Sequence, residues 1–314
     1  MRRLALLAKL HCATWLLFLA SGAVAHSATS TPPLPTLLAR YSPIVVLHPQ
    51  ERFAPVTVDG FLADSDLYQR TSSGWQKVDG PLPSGGSDYR LDQRSCSPRD
   101  GIAAIDCYAS AQDAHASPPT VYGNASRRGD RIVLQYWFFY AYDAYSPTVP
   151  AGSFWQVHEG DWEAVAILLD LDGTPLEAGY SEHSKGVRRD WARVPKRGTH
   201  PLDYVALGSH ANYFTAKIHR FDPRVVEPLF ISIIKQNGFP PVDHTGNGMV
   251  LRPKVVPVTG SSPSWMTFAG FWGEGQFLHA PRSTPVALGT SPRGPAFHAL
   301  WRRPVSVVLG WPRG

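Results

Sequence analysis

Residues 131–141, Arg-Ile-Val-Leu-Gln-Tyr-Trp-Phe-Phe-Tyr-Ala, limit the possible folds more than any other segment of this 314-residue chain. β-Branched and aromatic side chains fill both alternating positions, so a strand here has no face for water and must be covered on both sides. Residues 162–171 read the same way. Shorter strand candidates lie at 43–48, 201–207, 250–258 and 305–309. Residues 224–236 suit a helix, although their Ile-Ser-Ile-Ile centre leaves a strand open. Residues 71–130 are dominated by Ser, Gly, Asp and Pro and read as loops around short strands. The 29 Pro and 27 Gly favour turns over long helices. The prediction is a mainly β fold, a β-sandwich with long irregular loops and few short helices.

The N-terminus carries an address. Met1-Arg2-Arg3 precedes apolar stretches at 4–10 and 13–20, and Ser21-Gly22-Ala23-Val24-Ala25 supplies a small-residue cleavage site. Lys9 and His11 interrupt the apolar run, which falls short of the roughly 20 residues of a membrane span. The expectation is a signal peptide at 1–25, a linker at 26–36 and a single domain at 37–314 with no transmembrane segment after cleavage. Such a protein is secreted, either extracellular or periplasmic. Cleavage removes Arg2, Arg3 and Lys9, so the formal charge of +5 falls to +2. With so mild a balance and no run of Lys or Arg, no nucleic-acid partner is expected. Cys96 and Cys107 are the cysteines left, and in an oxidising compartment they read as one disulfide across a surface loop.

The stretch that carries chemistry is Val157-His158-Glu159-Gly160-Asp161-Trp162-Glu163. Asp161 and Glu163 are two apart, so on an extended backbone their carboxylates share a face while Trp162 points into the core. Adjacent carboxylates at the mouth of a buried strand repel and lose solvation unless something positive lies between them. His158 precedes the Gly160 bend, which swings its ring toward the same point, and Asp143 is a further candidate ligand. One imidazole and a set of carboxylates suit Mg²⁺, Ca²⁺ or Mn²⁺ better than a structural Zn²⁺. The competing reading has these side chains capping the strand with no ion. Glu159, His183 and His210 are candidate ligand or substrate contacts; each histidine reads equally as a loop residue held by hydrogen bonds.

Three motifs, in order, carry a resemblance: Gln135-Tyr136-Trp137-Phe138-Phe139-Tyr140, then His158–Glu163, then Tyr204-Val205-Ala206-Leu207-Gly208-Ser209-His210-Ala211-Asn212-Tyr213. With Leu38-Ala39-Arg40-Tyr41-Ser42-Pro43, Glu51-Arg52-Phe53 and Trp272-Gly273, the chain resembles the vacuolar protein sorting-associated protein 62 family. Residues 214–260 carry little of this resemblance. A looser likeness is to the necrosis-inducing protein family, whose Gly-His-Arg-His-Asp-Trp-Glu holds a divalent cation through its first His, its Asp and its Glu. That likeness implies a β-sandwich and a cation ligand set of His158, Asp161 and Glu163, used there to bind a membrane glycolipid headgroup. This chain departs from the motif at Glu159 and Gly160, and Pro150 stands where a further acidic ligand is expected.

The reading that follows is a secreted, divalent-cation-dependent binding protein, with a toxin-like role open to it, recognising a glycan or lipid headgroup. Trp155, Tyr180 and Tyr213 are its candidate stacking faces. The alternative is a metal-dependent hydrolase of ester or phosphodiester bonds, with Glu159 or His183 as general base and His210 supporting the leaving group. A purely structural scaffold is a third. Asp170-Leu171-Asp172-Gly173-Thr174 imitates a phosphatase motif, but the segments around it lack the alternating helices of that fold, and a hairpin turn on Asp172-Gly173 is expected. Ser209 beside His210 is no nucleophile–base pair, because adjacent side chains diverge on an extended chain. Asn124-Ala125-Ser126 has the form of a glycosylation sequon.

Overall fold

A computed structural model describes residues 32–96, 101–114, 118–145, 156–236, 238, 240–276 and 291–314. The expected signal peptide, linker residues 26–31, Pro150 and Trp155 lie outside the described residues. The chain opens with α1 (Leu34–Arg40), β1 (Ile44–Val46) and α2 (Val58–Ala63), followed by β2 (Ser65–Thr71), β3 (Gly74–Val78) and β4 (Tyr89–Gln93). Helix α3 (Gly101–Ala114) leads into five longer strands: β5 (Thr120–Arg128), β6 (Arg131–Tyr145), β7 (Gln156–Leu169), β8 (Pro175–Glu182) and β9 (Lys185–Asp190). Short elements follow: β10 (Lys196–Arg197), β11 (His200–Val205), β12 (Asn212–Tyr213), β13 (Ile218–Arg220), α4 (Pro228–Gln236) and β14 (Val242–His244). The last are β15 (Val250–Leu251), β16 (Lys254–Pro257), β17 (Gly275–Gln276), α5 (Ala299–Arg302) and α6 (Pro304–Gly310).

The fold is mainly β, as expected, and it is layered around β6. A large sheet runs β16-β5-β6-β7-β8-β9, with β17 alongside β7. Alternation along β6 sends Leu134, Tyr136, Phe138, Tyr140 and Tyr142 into one core, where they meet Val45, Leu47 and Val205 of the second sheet, β10-β11-β1-β15. Val133, Trp137, Phe139 and Ala141 enter the other core. There they meet Phe61 of α2, Leu67 and Leu91 of the β3-β2-β4 sheet, Trp265, and Leu300 and Val308 of the C-terminal helices. Both faces of β6 are therefore dry, and its one interior amide, Gln135, is satisfied in part by accepting from Trp137 Nε1 at 3.1 Å.

Several expectations are corrected. Residues 305–309 are not a strand but part of α6; Pro304 suits a first helical turn, and Pro304 and Val308, one turn apart, are the buried pair. The stretch 71–130 is not chiefly loop: it holds β3, β4, β5 and the 14-residue α3. Ala104, Tyr108 and Ala109 of that helix are buried at helical spacing, and Tyr108 stacks on Tyr142 with ring centroids 4.0 Å apart. The helical turn α1 begins at Leu34, inside the expected linker. The ambiguous stretch 224–236 resolves as α4. Other expectations stand. Cys96 and Cys107 are disulfide-bonded, and Asp170–Thr174 form the β7–β8 turn, with Asp170 N donating to Thr174 O at 3.0 Å. No helix among the described residues is long and apolar enough to cross a membrane.

Candidate metal centre

The His158–Glu163 stretch lies inside β7 rather than at its mouth, because tertiary pairing extends the strand to Gln156. On one side β7 pairs continuously with β6, with His158 directly opposite Asp143. On the other side β8 pairs only with Val165–Leu169, and β17 only with Val157 and His158. Along residues 160–164 no described strand lies on this edge, and Ala164 N donates instead to Ser181 Oγ at 2.8 Å. Gly160 sits in this gap at φ +56°. Its left-handed backbone breaks the simple alternation of side chains, which would otherwise put His158 and Asp161 on opposite faces. The result is a cleft of about 260 Å³ whose lining includes Asp143, His158, Asp161, Glu163 and His183, with Phe230 of α4 among its other walls.

Ligand atoms of Asp143, His158 and Asp161 all lie within 4.8 Å of one another. Each residue is held by one polar atom and turns another toward the cluster. His158 Nδ1 faces two carbonyls, Gly160 O at 3.2 Å and Glu159 O at 3.3 Å. Carbonyls only accept, so Nδ1 carries the proton and Nε2 turns toward Asp143 Oδ2, 3.6 Å away. Asp143 Oδ1 accepts from Tyr145 N at 2.9 Å, and Asp161 Oδ2 is bonded to His210 Nδ1 at 3.0 Å. An imidazole lone pair facing a buried carboxylate is unfavourable unless a proton or a cation lies between them. Burial, opposed by His158 and reinforced by the charge of Asp161, pushes the Asp143 carboxyl up to about 6.

Of the expected ligands, His158 and Asp161 lie together with Asp143, and Glu163 lines the same cleft. Glu163 lines the cleft but is not in the triad: its carboxyl is hydrogen-bonded to Ser181 Oγ. Burial first, and the charge of Asp161 second, push it well above the ordinary carboxylate range. Asp143, the further candidate, joins His158 and Asp161 because cross-strand pairing sets it opposite His158. Glu159 is directed away from the cleft: it accepts from Tyr108 Oη at 2.6 Å and from the backbone N of Gln93 and Glu274, both at 3.1 Å. Burial pushes it up to about 8. A carboxyl so engaged ties β4, α3 and the segment after Trp272 to β7 and has no route to a ligand in the cleft. Tyr180 and Tyr213 are buried, so neither is a stacking face.

His210 stands behind the triad. Its ring lies flat on Tyr140, centroids 3.9 Å apart, between Asp161 and Glu51, whose Oε1 is 3.7 Å from Nε2. Burial alone would lower this histidine, but the bonds to Asp161 and Glu51 outweigh it and raise it to about 10. Glu51 is fixed in turn by Gly208 N at 2.7 Å. His210 therefore orients Asp161 and is not exposed to a ligand.

No family model matches the chain. Against curated proteins, 203 residues are 26% identical to the vacuolar protein sorting-associated protein TDA6 of Saccharomyces cerevisiae, over 56% of this chain and 43% of that protein. The chain is similar to a vacuolar protein sorting-associated protein. The resemblance carried by the three motifs is thus matched by a relative, of whose length the chain spans under half. Solved structures that overlay on it include NLPPya in complex with mannosamine, 14% identical, covering 71% of this chain and 73% of that one, TM-score 0.32. A second is the non-toxic HaNLP3 protein, 13% identical, covering 80% and 86%, TM-score 0.35. A third is Necrosis and Ethylene inducing Protein 2 from the causal agent of cocoa's witches' broom disease, 17% identical, covering 57% and 67%, TM-score 0.31. Overlays this loose place no residue of the cleft.

A second acid–histidine pair borders the cleft and was half visible in the sequence. His183, at φ +55° in the β8–β9 turn, meets Asp243 Oδ2 through Nε2 at 2.7 Å. Asp243 also accepts from Ser209 Oγ at 2.9 Å and Tyr213 Oη at 2.8 Å. Asp243 was not foreseen, since nothing in Val242-Asp243-His244 distinguishes it from a turn residue. Burial would raise Asp243, but His183 and the two hydroxyls hold it below the usual carboxylate range. Burial would lower His183, but Asp243 raises it. The depressed acid stabilises the fold above its unfolded value of about 4, and the raised histidine does so below its unfolded value of about 6.5. The pair therefore contributes most between about pH 4 and 6.5. In urea unfolding, the stability gap between the wild type and Asp243→Asn is expected to be largest near pH 5.5 and to narrow as pH rises past the folded value of His183. A gap that widens steadily toward pH 9 contradicts the pairing.

Proposed function

We propose that the protein is exported and holds a divalent cation at Asp143, His158 and Asp161, binding through it the hydroxyl or phosphate oxygens of a glycan or lipid headgroup. The observation that supports this reading is the convergence of ligand atoms from three residues that line an open cleft. Two carboxylates and an imidazole are a hard donor set suited to Mg²⁺, Ca²⁺ or Mn²⁺. Bound there, the ion supplies a positive centre for oxygen ligands. The residues of the chain do the rest. Gly160 O and Tyr145 N orient His158 and Asp143, His210 orients Asp161, and the cleft leaves room above the triad for a headgroup.

The test begins with metal content. Protein purified without chelator is analysed for elements, then applied to a glycan array and to vesicles of mixed phospholipids, with and without EDTA. One equivalent of a divalent ion, and binding that EDTA abolishes and Ca²⁺, Mg²⁺ or Mn²⁺ restores, is the expected result. Binding indifferent to EDTA would falsify the cation-dependent reading.

One observation favours hydrolysis as a second reading: His183, held by the buried Asp243, lines the same cleft. Glu159, on its separate network, is not available as the general base. Hydrolysis predicts EDTA-sensitive release of p-nitrophenol from bis(p-nitrophenyl) phosphate, abolished in His183→Ala. Headgroup binding with no turnover leaves the first reading alone.

A further inference from the structure

A larger cleft, of about 420 Å³, opens beside β9, β12 and β13, and its chemistry is the reverse of the first. Its walls include Arg189 from β9, Phe214, Lys217, and His219 and Arg220 from β13. Arg189 is half-buried, its guanidinium 4.4 Å over the Phe214 ring, and its Nε donates to Gly314 O at 3.2 Å. Arg189, Lys217 and Arg220 form no ion pair with an acidic side chain among the described residues. The contrast with neighbouring arginines is sharp. Arg188 pairs with Glu177, Arg313 with Glu177 and Asp190, and Arg224 with Asp222.

Acidic side chains offset little of the charge in this cleft. Burial and the like charge of Arg193 both work against the Arg189 cation. The acid in the lining is Glu182, which burial pushes up to about 8, so at neutral pH it offers no full counter-charge. His219 is pushed down to about 4 by burial and is neutral there, its ring stacked on Tyr213 with centroids 3.7 Å apart. Three cations lining one cleft, beside the Phe214 ring and the exposed Ile218, are complementary to an anionic group carrying a ring or a short chain.

We propose that this cleft is a second binding site, for a phosphate ester, with the phosphate taken by Arg189, Lys217 and Arg220 and the ester group resting on Phe214 and Ile218. Arginine presents parallel N–H donors to tetrahedral oxyanions, and two arginines with a lysine favour a dianionic phosphate over a carboxylate. The site shares no ligand atom with the cation centre, so the two readings stand or fall separately. The phosphate belongs either to a soluble ester or to a lipid headgroup.

The probes are glycerol 3-phosphate, by calorimetry, and vesicles of phosphatidylcholine with and without phosphatidic acid, by flotation, all in EDTA so that a cation bridge plays no part. Removing one charge-assisted hydrogen bond weakens affinity roughly tenfold. Arg189→Gln/Arg220→Gln is therefore expected to weaken binding by roughly a hundredfold, and added salt to weaken it in the wild type. Binding of glycerol 3-phosphate assigns a soluble ester. Flotation that requires phosphatidic acid, without soluble binding, assigns the headgroup. Should the double variant unfold, Lys217→Glu, exposed in a loop, carries the same test. No binding of either probe, or equal binding by wild type and variants, overturns the proposal.

Discussion

Asp143→Asn is expected to abolish the rise in melting temperature that Ca²⁺, Mg²⁺ or Mn²⁺ gives the wild type. Asp143 Oδ2 lies 3.6 Å from His158 Nε2, with Asp161 in the same cluster. The asparagine keeps the shape of the side chain and removes one of the two carboxylate charges that would face an ion. With an ion at a hundred times its dissociation constant, the wild type gains about 2.7 kcal/mol. The variant lacks an anionic ligand and is expected to lose at least 2 of those roughly 2.7 kcal/mol. Thermal unfolding of both proteins, with EDTA and with each ion, reads the effect. A strand cap with no ion predicts that added ions leave both proteins unchanged.

Gly160→Ala is expected to be strongly damaging, costing about 4 kcal/mol or more. Two penalties add. At φ +56° an alanine pays roughly 1–2 kcal/mol for the left-handed backbone. Its Cβ would also stand 2.2 Å from Trp272 O, a backbone atom. Trp272 cannot retreat, because its ring is wedged edge-on among Phe139, Trp162 and Trp265. β7 must shift instead, which separates His158 from Asp161, so cation affinity is expected to fall with stability. Gly129→Ala is the control. That glycine has nearly the same φ, +62°, but a methyl there meets nothing within 4 Å, and a loss of only roughly 1–2 kcal/mol is expected. Equal losses for the two variants in urea unfolding would remove the Trp272 carbonyl as the cause.

The triad was legible in its short-range part and not in its long-range part. His158 and Asp161 stand out by spacing around a glycine. Glu163 has the same local credentials, yet its carboxyl turns to Ser181, a residue brought alongside where β8 stops pairing with β7. Asp143 and His158 are 15 positions apart, and which acid faces the imidazole depends on the register of β6 against β7. Glu51 was visible only as a motif residue and His210 as a candidate ligand contact, because the chain that runs Glu51, His210, Asp161 joins three elements far apart in sequence. Asp243 gave no sign at all.

Strong local patterns determined much of the architecture. Both faces of β6 are apolar in the sequence, so burial on two sides follows wherever the strand lies. The Asp170–Thr174 turn and the Cys96–Cys107 link are local features read correctly from a few residues. The helix of α3 and the helical turn at 304–310 were missed because a short apolar run has no decisive period; helix or strand was settled by which face found a core. The basic cleft shows the same limit, since Arg189 and Arg220 are ordinary surface residues in sequence and come to line one cleft only in the folded chain. Sequence alone set what must be buried. Tertiary structure decided which polar groups that burial left facing one another, because register, a positive-φ glycine and a missing strand partner act over distances that local spacing does not encode.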